Sequence, residues 1–494
     1  MEKKYNSTRN RGLQIQPKQA IIQGLAADGG LFVFDDIDKI KLPLADMMEM
    51  DYKQMAQVVL SALLFDFSED EVKQCIENAY EGKFDDQEIT PVVFSGTDVI
   101  CELFHGPTSA FKDVGLRMLP QLMSVSLKQK KNQKVMILTA TSGDTGKAAL
   151  AGFQDVENVG ITVFYPDHGV SEIQRLQMIT QEGNNTGVVA IKGNFDDAQS
   201  GVKRIFNDAA FQKEFKQYKT IFSSANSINI GRLIPQVVYY FYAYKRLVEE
   251  KRIRFGEQVD FCVPTGNFGN VLAGYYAKLM GLPVHRFIVA ANANNVLYDF
   301  LTTGIYNRNR PFHKTISPSM DILISSNLER LLYYASDKDA NYVSNLMEEL
   351  NSYGKYQVKT SILSRIQSLF STGFASDEEC AAAIKEKYEK DGYVLDPHTA
   401  CAYAVMKQVQ DSEHVCVLMS TASPYKFCTG VYEALFDTAD SDEFTVMEQL
   451  EQKTGTKAPQ NLKGLKEKTI RHHDVIEIGE MKACVAQKTK ELLR

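Results

Sequence analysis

The sequence predicts an α/β protein with two domains built on parallel sheets, preceded by a mostly helical N-terminal domain. Three observations predict it. From about residue 133, short apolar runs alternate with amphipathic segments: "KVMIL", "GITVFYP", "GVVAIKG", "QVDFCVP", "RFIVAANA" and "HVCVLMSTA" each adjoin a helical pattern. Strands that are apolar throughout belong to sheets covered on both faces, and alternation with helices makes those sheets parallel. The first hundred residues differ, because "DYKQMAQVVLSALLFDF" and "EDEVKQCIENAYEGK" carry apolar residues at helical i, i+3, i+4 spacing. Finally, 494 residues suffice for two or three domains with a large core.

The expected division is an N-terminal domain over 1–95, a catalytic region over 96–440 and a C-terminal extension over 441–494 packed on it. Within the catalytic region the smaller subdomain runs over roughly 130–225. In the N-terminal part, "PKQAIIQGLAADGGLFVFDDI" reads as a helix stopped by Gly29-Gly30 and then a short strand. Ser171 and Gln174 have capping-box spacing ahead of a helix. The tail reads as a strand and a helix on the outside of the molecule.

Composition excludes several functions. Fifty-five basic against 62 acidic residues give a net charge of −7, the wrong balance for binding a nucleic-acid backbone. The basic cluster "KQKKNQK" at 128–134 reads as a solvated loop. The eight cysteines form no C-x-x-C pair and have no metal-ligand spacing with histidine. They read as core residues of a reduced, cytoplasmic protein, with no metal expected. No membrane span is expected, since no apolar run reaches eighteen residues.

In parallel sheets, ligands gather at the C-terminal ends of strands. Three loops there are rich in glycine and small polar residues: "TSGDTG" (141–146), "SSANSINIGR" (223–232) and "PTGNFGN" (264–270). A helix follows each, so each offers N–H groups and a favourable dipole to an anion. Neither familiar nucleotide motif fits. "GDTGKA" lacks the spacing and the hydroxyl residue after lysine of a P-loop, and "GNFGN" fails G-x-G-x-x-G.

One lysine stands in unusual company. In "ELFHGPTSAFKDVG", Lys112 follows a Gly-Pro turn and has Phe104 and Phe111 near it in sequence. An apolar setting favours the neutral amine, which can form a Schiff base with a carbonyl such as that of pyridoxal 5′-phosphate (PLP). Local sequence alone leaves that reading level with a simple lysine at a helix start.

"ELFHGPTSAFKD", "ILTATSGDTG", "SANSINIGR", "VPTGNFGN", "SPSMDIL" and "DPHTACAY" occur in the order found in threonine synthases. The chain resembles the bacterial and fungal type with a long N-terminal domain, over most of its length from "YNSTRN" to "STASPYKF". The resemblance implies a fold-type II PLP enzyme that converts O-phospho-L-homoserine and water to L-threonine and phosphate. Lys112 would carry the cofactor and move the protons. Gly266, Asn267, Phe268, Gly269 and Asn270 would hold its phosphate through backbone amides and side chains, with Thr421 beside the ring nitrogen. Thr141, Ser142, Asp144 and Thr145 would surround the substrate α-carboxylate. Asp144 itself would accept bonds from loop amides or face the cofactor. Asn226, Ser227 and Arg232 would take the substrate phosphate. The resemblance also implies a monomer. His398 is expected to be structural, His105 to orient the Lys112 loop, and His168, His472 and His473 to lie on the surface. "SNLERLLYY" is expected to be a helix with an apolar face and not a site.

Overall fold

The computed structural model describes residues 3–493 apart from 129, 131, 142, 169, 411 and 412; of residues 196 and 207 only the backbone is described. The larger of two helix-covered sheets has the strand order Phe370–Phe374, Val284–Ala291, Val259–Pro264, Cys416–Ser420, Asp98–Glu102, Val92–Ser95. All neighbours are parallel except the last pair. The second sheet is parallel throughout, in the order Asp474–Glu477, Thr186–Lys192, Val159–Pro166, Lys134–Ala140, Thr220–Ser223. Its central strand Val159–Pro166 is buried at every residue, which is why it reads as a continuous apolar run.

The tail joins this second sheet. Asp474–Glu477 pairs with Thr186–Lys192, and the helix Met481–Leu492 packs Met481 and Val485 into a core with Leu138, Phe164 and Val189. Most other buried apolar residues form one larger core shared by the N-terminal part, the larger sheet and the other face of the second sheet. Among the described residues, no helix is long and apolar enough to cross a membrane. The basic cluster at 128–134 lies partly outside the described residues.

The N-terminal part contains the two expected helices, Tyr52–Leu63 and Glu69–Tyr80, each opened by a capping box, at Asp51 and Ser68. It also carries a small antiparallel sheet of Gln14–Ile15, Tyr5–Ser7 and Phe32–Phe34. Its first helix, Pro17–Gln23, ends earlier than Gly29-Gly30. Gly24 takes the cap with φ 71° and donates its N–H to the Ala20 carbonyl, so the first residue free to turn left-handed ends the helix. The capping box at Ser171 and Gln174 is present.

Candidate functional site

The larger sheet delivers Lys112 through a tightly tied loop. After the strand Asp98–Glu102, the Gly106-Pro107 turn is cinched by Asp113, whose two carboxylate oxygens accept from Thr108 N (2.8 Å) and Thr108 Oγ1 (2.7 Å). A side chain at Gly106 would place its Cβ 2.5 Å from Asp113. Phe111 N donates to the Thr421 carbonyl (2.8 Å) and Ser423 N to that of Ser109 (3.1 Å), locking the loop to the segment after Cys416–Ser420. Asp113 therefore folds the loop, and the helix Lys112–Lys128 begins at its end.

Lys112 is buried, with Nζ 4.7 Å from the Phe111 ring centre, 3.2 Å from Ser319 Oγ and 3.6 Å from Asp144. Burial lowers its pKa to about 8; Asp144 opposes the shift, and Arg232 and Lys426 assist it. Of the two aromatic neighbours in sequence, only Phe111 meets the amine. Phe104 stacks on His105 (4.9 Å between ring centres), and His105 is held between Asp85 and Glu102.

Asp144 is the hub of the pocket. It opens the helix Asp144–Phe153 and is almost wholly buried. It pairs with Lys426 (2.9 Å) and accepts from Ser319 Oγ (3.0 Å) and Gln174 Nε2 (3.0 Å). Burial alone would raise its pKa, but the charges of Lys426 and Lys112 outweigh it and hold the carboxyl well below the usual range. Among the described residues, no amide of its own loop donates to Asp144. Thr141 Oγ1 takes those bonds, from Gly143 N (3.0 Å) and Gly146 N (2.9 Å). Ser142 lies outside the described residues. Thr145 is half-buried on the first turn of the helix.

His398 acts through Ser319. Its Nδ1 lies 2.8 Å from Asp396 Oδ1, and its Nε2 accepts from Ser319 N (3.1 Å). That donor assigns the ring proton to Nδ1. What the histidine holds is a residue bonded to both Lys112 and Asp144. His168 is exposed, whereas His472 is half-buried with Nε2 3.0 Å from the Gln181 carbonyl, because the tail packs there.

The loop at 264–270 comes within contact of the same segment, since a Cβ on Gly266 would sit 2.8 Å from the Ser319 carbonyl. Phe268, fully buried, adopts a left-handed conformation (φ 64°) as the residue before the helix Gly269–Leu279. Such a conformation is costly for a bulky residue, and the N–H groups of Gly269 and Asn270 just after it have no carbonyl four residues back in the helix to accept from them. Asn270 spends its side chain on the loop, donating to the Pro264 carbonyl (2.9 Å) and accepting from Val271 N (2.9 Å). Thr421 is buried, with its N–H on Thr399 Oγ1 (3.2 Å).

The third loop carries Asn226, Ser227 and Arg232. Arg232 is buried and donates to the Ala225 carbonyl (2.9 Å); burial lowers its pKa to about 10. Among the described residues no carboxylate pairs with it. Gly115, one turn after Lys112, packs directly on its backbone. Ser227 Oγ meets Ser326 Oγ at 3.4 Å, and Asn226 is half-buried. Asn327 ties this loop to the preceding one, donating from Nδ2 to the carbonyls of Ser227 and Asn267, both at 3.1 Å.

Ser319, Gln174, Lys426 and Asn327 carry much of this geometry, and none reads from the sequence as a site residue; Gln174 reads only as part of a capping box and Asn327 only within "SNLERLLYY". The signal for Ser319 and Lys426 is that they fall within the recognisable blocks "SPSMDIL" and "STASPYKF".

A family model for the threonine synthase N terminus matches residues 4–80, and one for pyridoxal-phosphate-dependent enzymes matches 96–349. Threonine synthase of Pseudomonas aeruginosa is 38% identical over 435 residues, covering 87% of this chain and 90% of that protein. The chain belongs to the threonine synthase family of PLP-dependent enzymes. A crystal structure of PLP-bound threonine synthase from Brucella melitensis superposes with a TM-score of 0.87 at 35% identity, covering 99% of each chain. Human threonine synthase-like 1 is 42% identical over 429 residues, 84% of this chain. The chain spans only 58% of that protein's length.

PLP presents an aldehyde, a ring nitrogen and a phosphate. The protein offers residue types suited to each: a buried lysine of lowered pKa, a helix N-terminus behind a glycine with no room for a side chain, and a buried threonine. The residues present fit the family's cofactor.

Proposed function

We propose that this chain converts O-phospho-L-homoserine and water to L-threonine and phosphate. One observation carries the reading: close enough to Lys112 to help lower its pKa lies Arg232, a buried cation that no carboxylate among the described residues pairs with. A buried charge left unpaired is costly. An anionic substrate group beside the lysine would supply the missing counter-ion. Bidentate guanidinium geometry suits a phosphate.

When bound, PLP supplies an electrophilic carbonyl and a ring that withdraws electrons from the substrate's α- and β-carbons. Lys112 Nζ takes the protons from Cα and Cβ and returns protons later. A pKa near 8 suits a base that must both accept and donate around neutrality. Ser319 Oγ and Asp144 aim the amine. Lys426 keeps Asp144 ionised, so the proton rests on Lys112 Nζ and not on the carboxylate. Loss of the Cβ proton expels phosphate from Cγ into the hold of Arg232, Asn226 and Ser227, and water then adds at Cβ.

The backbone amides of Gly266 to Asn270 hold the cofactor phosphate in this reading, because the Asn270 side chain is already engaged. Thr421 faces the ring nitrogen. The loop 141–145 takes the α-carboxylate through its backbone, since Thr141 Oγ1 and Asp144 are both committed to internal partners.

The rival reading is another PLP lyase of this fold, such as a threonine dehydratase, which needs no second phosphate site. Assaying the PLP-loaded protein decides between them. Phosphate release with threonine formation from O-phosphohomoserine supports the proposal, and ammonia release from threonine without it overturns the proposal.

A further inference from the structure

The helix Leu328–Ala335 is buried at every residue, Glu329 and Arg330 included, so it is more than a helix with one apolar face. Arg330 has no exposed surface. Its Nε donates to the Phe32 carbonyl (3.0 Å), on a strand of the N-terminal sheet, and its Nη2 to the Ile228 carbonyl (2.7 Å), in the loop of Ser227 and Arg232. Its Nη1 donates to Asn327 Oδ1. None of these acceptors is a carboxylate. Neighbouring Glu329 is taken by Arg9, at 2.9 and 2.8 Å, and by Thr8.

Two consequences follow from that placement. The three donors span the N-terminal sheet and the 226–232 loop, and through Asn327 they reach Asn267 in the 264–270 loop. The fork is rigid and planar, so it sets the spacing of the parts it joins. The same guanidinium is a second buried cation, after Arg232, bordering one loop with no carboxylate bonded to it among the described residues. Carbonyl dipoles offset only part of such a charge, and an anion arriving in the loop would offset more.

We propose that Arg330 is a positioning residue for the substrate phosphate: it fixes the 226–232 loop against the 264–270 loop, braced on the N-terminal sheet. This rests on the reading that the first of those loops receives the phosphate of the substrate. It gives the N-terminal sheet a part in substrate capture. Asn6, Asp35 and the Phe34 carbonyl brace the same helix through Tyr333 and Tyr334.

The test uses holoenzyme of Arg330→Lys, which keeps the charge and loses the fork, with inorganic phosphate as the probe. Calorimetry gives the phosphate Kd, steady-state kinetics give kcat and KM, and the visible absorbance reports retained cofactor. Loss of two charge-assisted bonds should raise both the phosphate Kd and KM about tenfold or more. In the same variant kcat should change by less than about threefold, as expected for an interaction made equally in ground and transition states. A folded variant with lowered Tm but unchanged KM and phosphate Kd overturns the proposal. Should Arg330→Lys not fold, Asn327→Ser, which cuts the link between the loops, must show the same split or the proposal falls. If the wild-type chain does not turn over O-phosphohomoserine, the proposed reaction fails, and the phosphate Kd still decides the role of Arg330.

Discussion

Asp144 and Lys426 form a buried ion pair at 2.9 Å, and the same lysine donates to the Thr108 carbonyl (2.8 Å) in the loop that delivers Lys112. Removing one partner strands the other's charge, which costs about 3–5 kcal/mol, whereas removing both costs much less than the sum. Asp144→Asn and Lys426→Met should each lower urea-unfolding stability on that scale. Their double variant should reveal a coupling of about 1–3 kcal/mol. Additive losses would mean the pair does not act as a unit.

Cofactor loading should report the Lys112 amine directly. Only the neutral amine attacks an aldehyde, so the rate at which apoprotein and PLP form the absorbing holoenzyme should rise with pH through about 8 and then level off. An unperturbed lysine would still be rising near pH 10. Asp144 raises the Lys112 pKa and Lys426 lowers it, so Asp144→Asn should move the midpoint down and Lys426→Met should move it up. Midpoints that stay together would detach the trio.

Much of this was readable in the chain. The parallel strands announce themselves because both faces are buried, and the three anion loops follow from their place after those strands. Lys112 is marked by Phe111, which does lie against the amine. What could not be read is anything set by partners distant in sequence. Nothing beside Asp144 names Lys426, and nothing in "SNLERLLYY" says that Arg330 reaches back to Phe32. The short strands Tyr5–Ser7 and Gln14–Ile15 were also invisible, being too brief to show alternation. Asn270 and Thr141 also have internal partners that their motif does not name, since the loop's own carbonyls and amides engage both side chains.

His105 should make stability depend on pH on the alkaline side. Burial alone would lower its pKa, but bonds to Asp85 and Glu102 outweigh that and push it up to about 9. A raised pKa means stability fully present below the unfolded value of about 6.5 and lost as pH climbs through 9. Against His105→Gln, the wild-type advantage in urea unfolding should shrink by roughly 2 kcal/mol between pH 6 and pH 10. A difference constant with pH would show that the imidazole is not charged in the folded protein.

Gly266→Ala should loosen the cofactor by a steric route. The new Cβ would lie 2.8 Å from the Ser319 carbonyl, closer than a real contact allows, and the obstacle is backbone, which cannot swing aside as a side chain would. The Ser317–Asp321 turn must therefore shift, and Ser319 Oγ moves away from both Lys112 and Asp144. Ser325 Oγ, which donates to the Gly266 carbonyl at 2.7 Å, resists relaxation on the other side. Overpacking of this kind costs about 1–3 kcal/mol, so PLP affinity, read by absorbance titration of the apoprotein, should fall about tenfold or more. Adding Ser319→Ala should recover little of that loss, because the clash is with the Ser319 carbonyl and not with its side chain. Full recovery in the double variant would show that the hydroxyl, not the backbone, limits the approach.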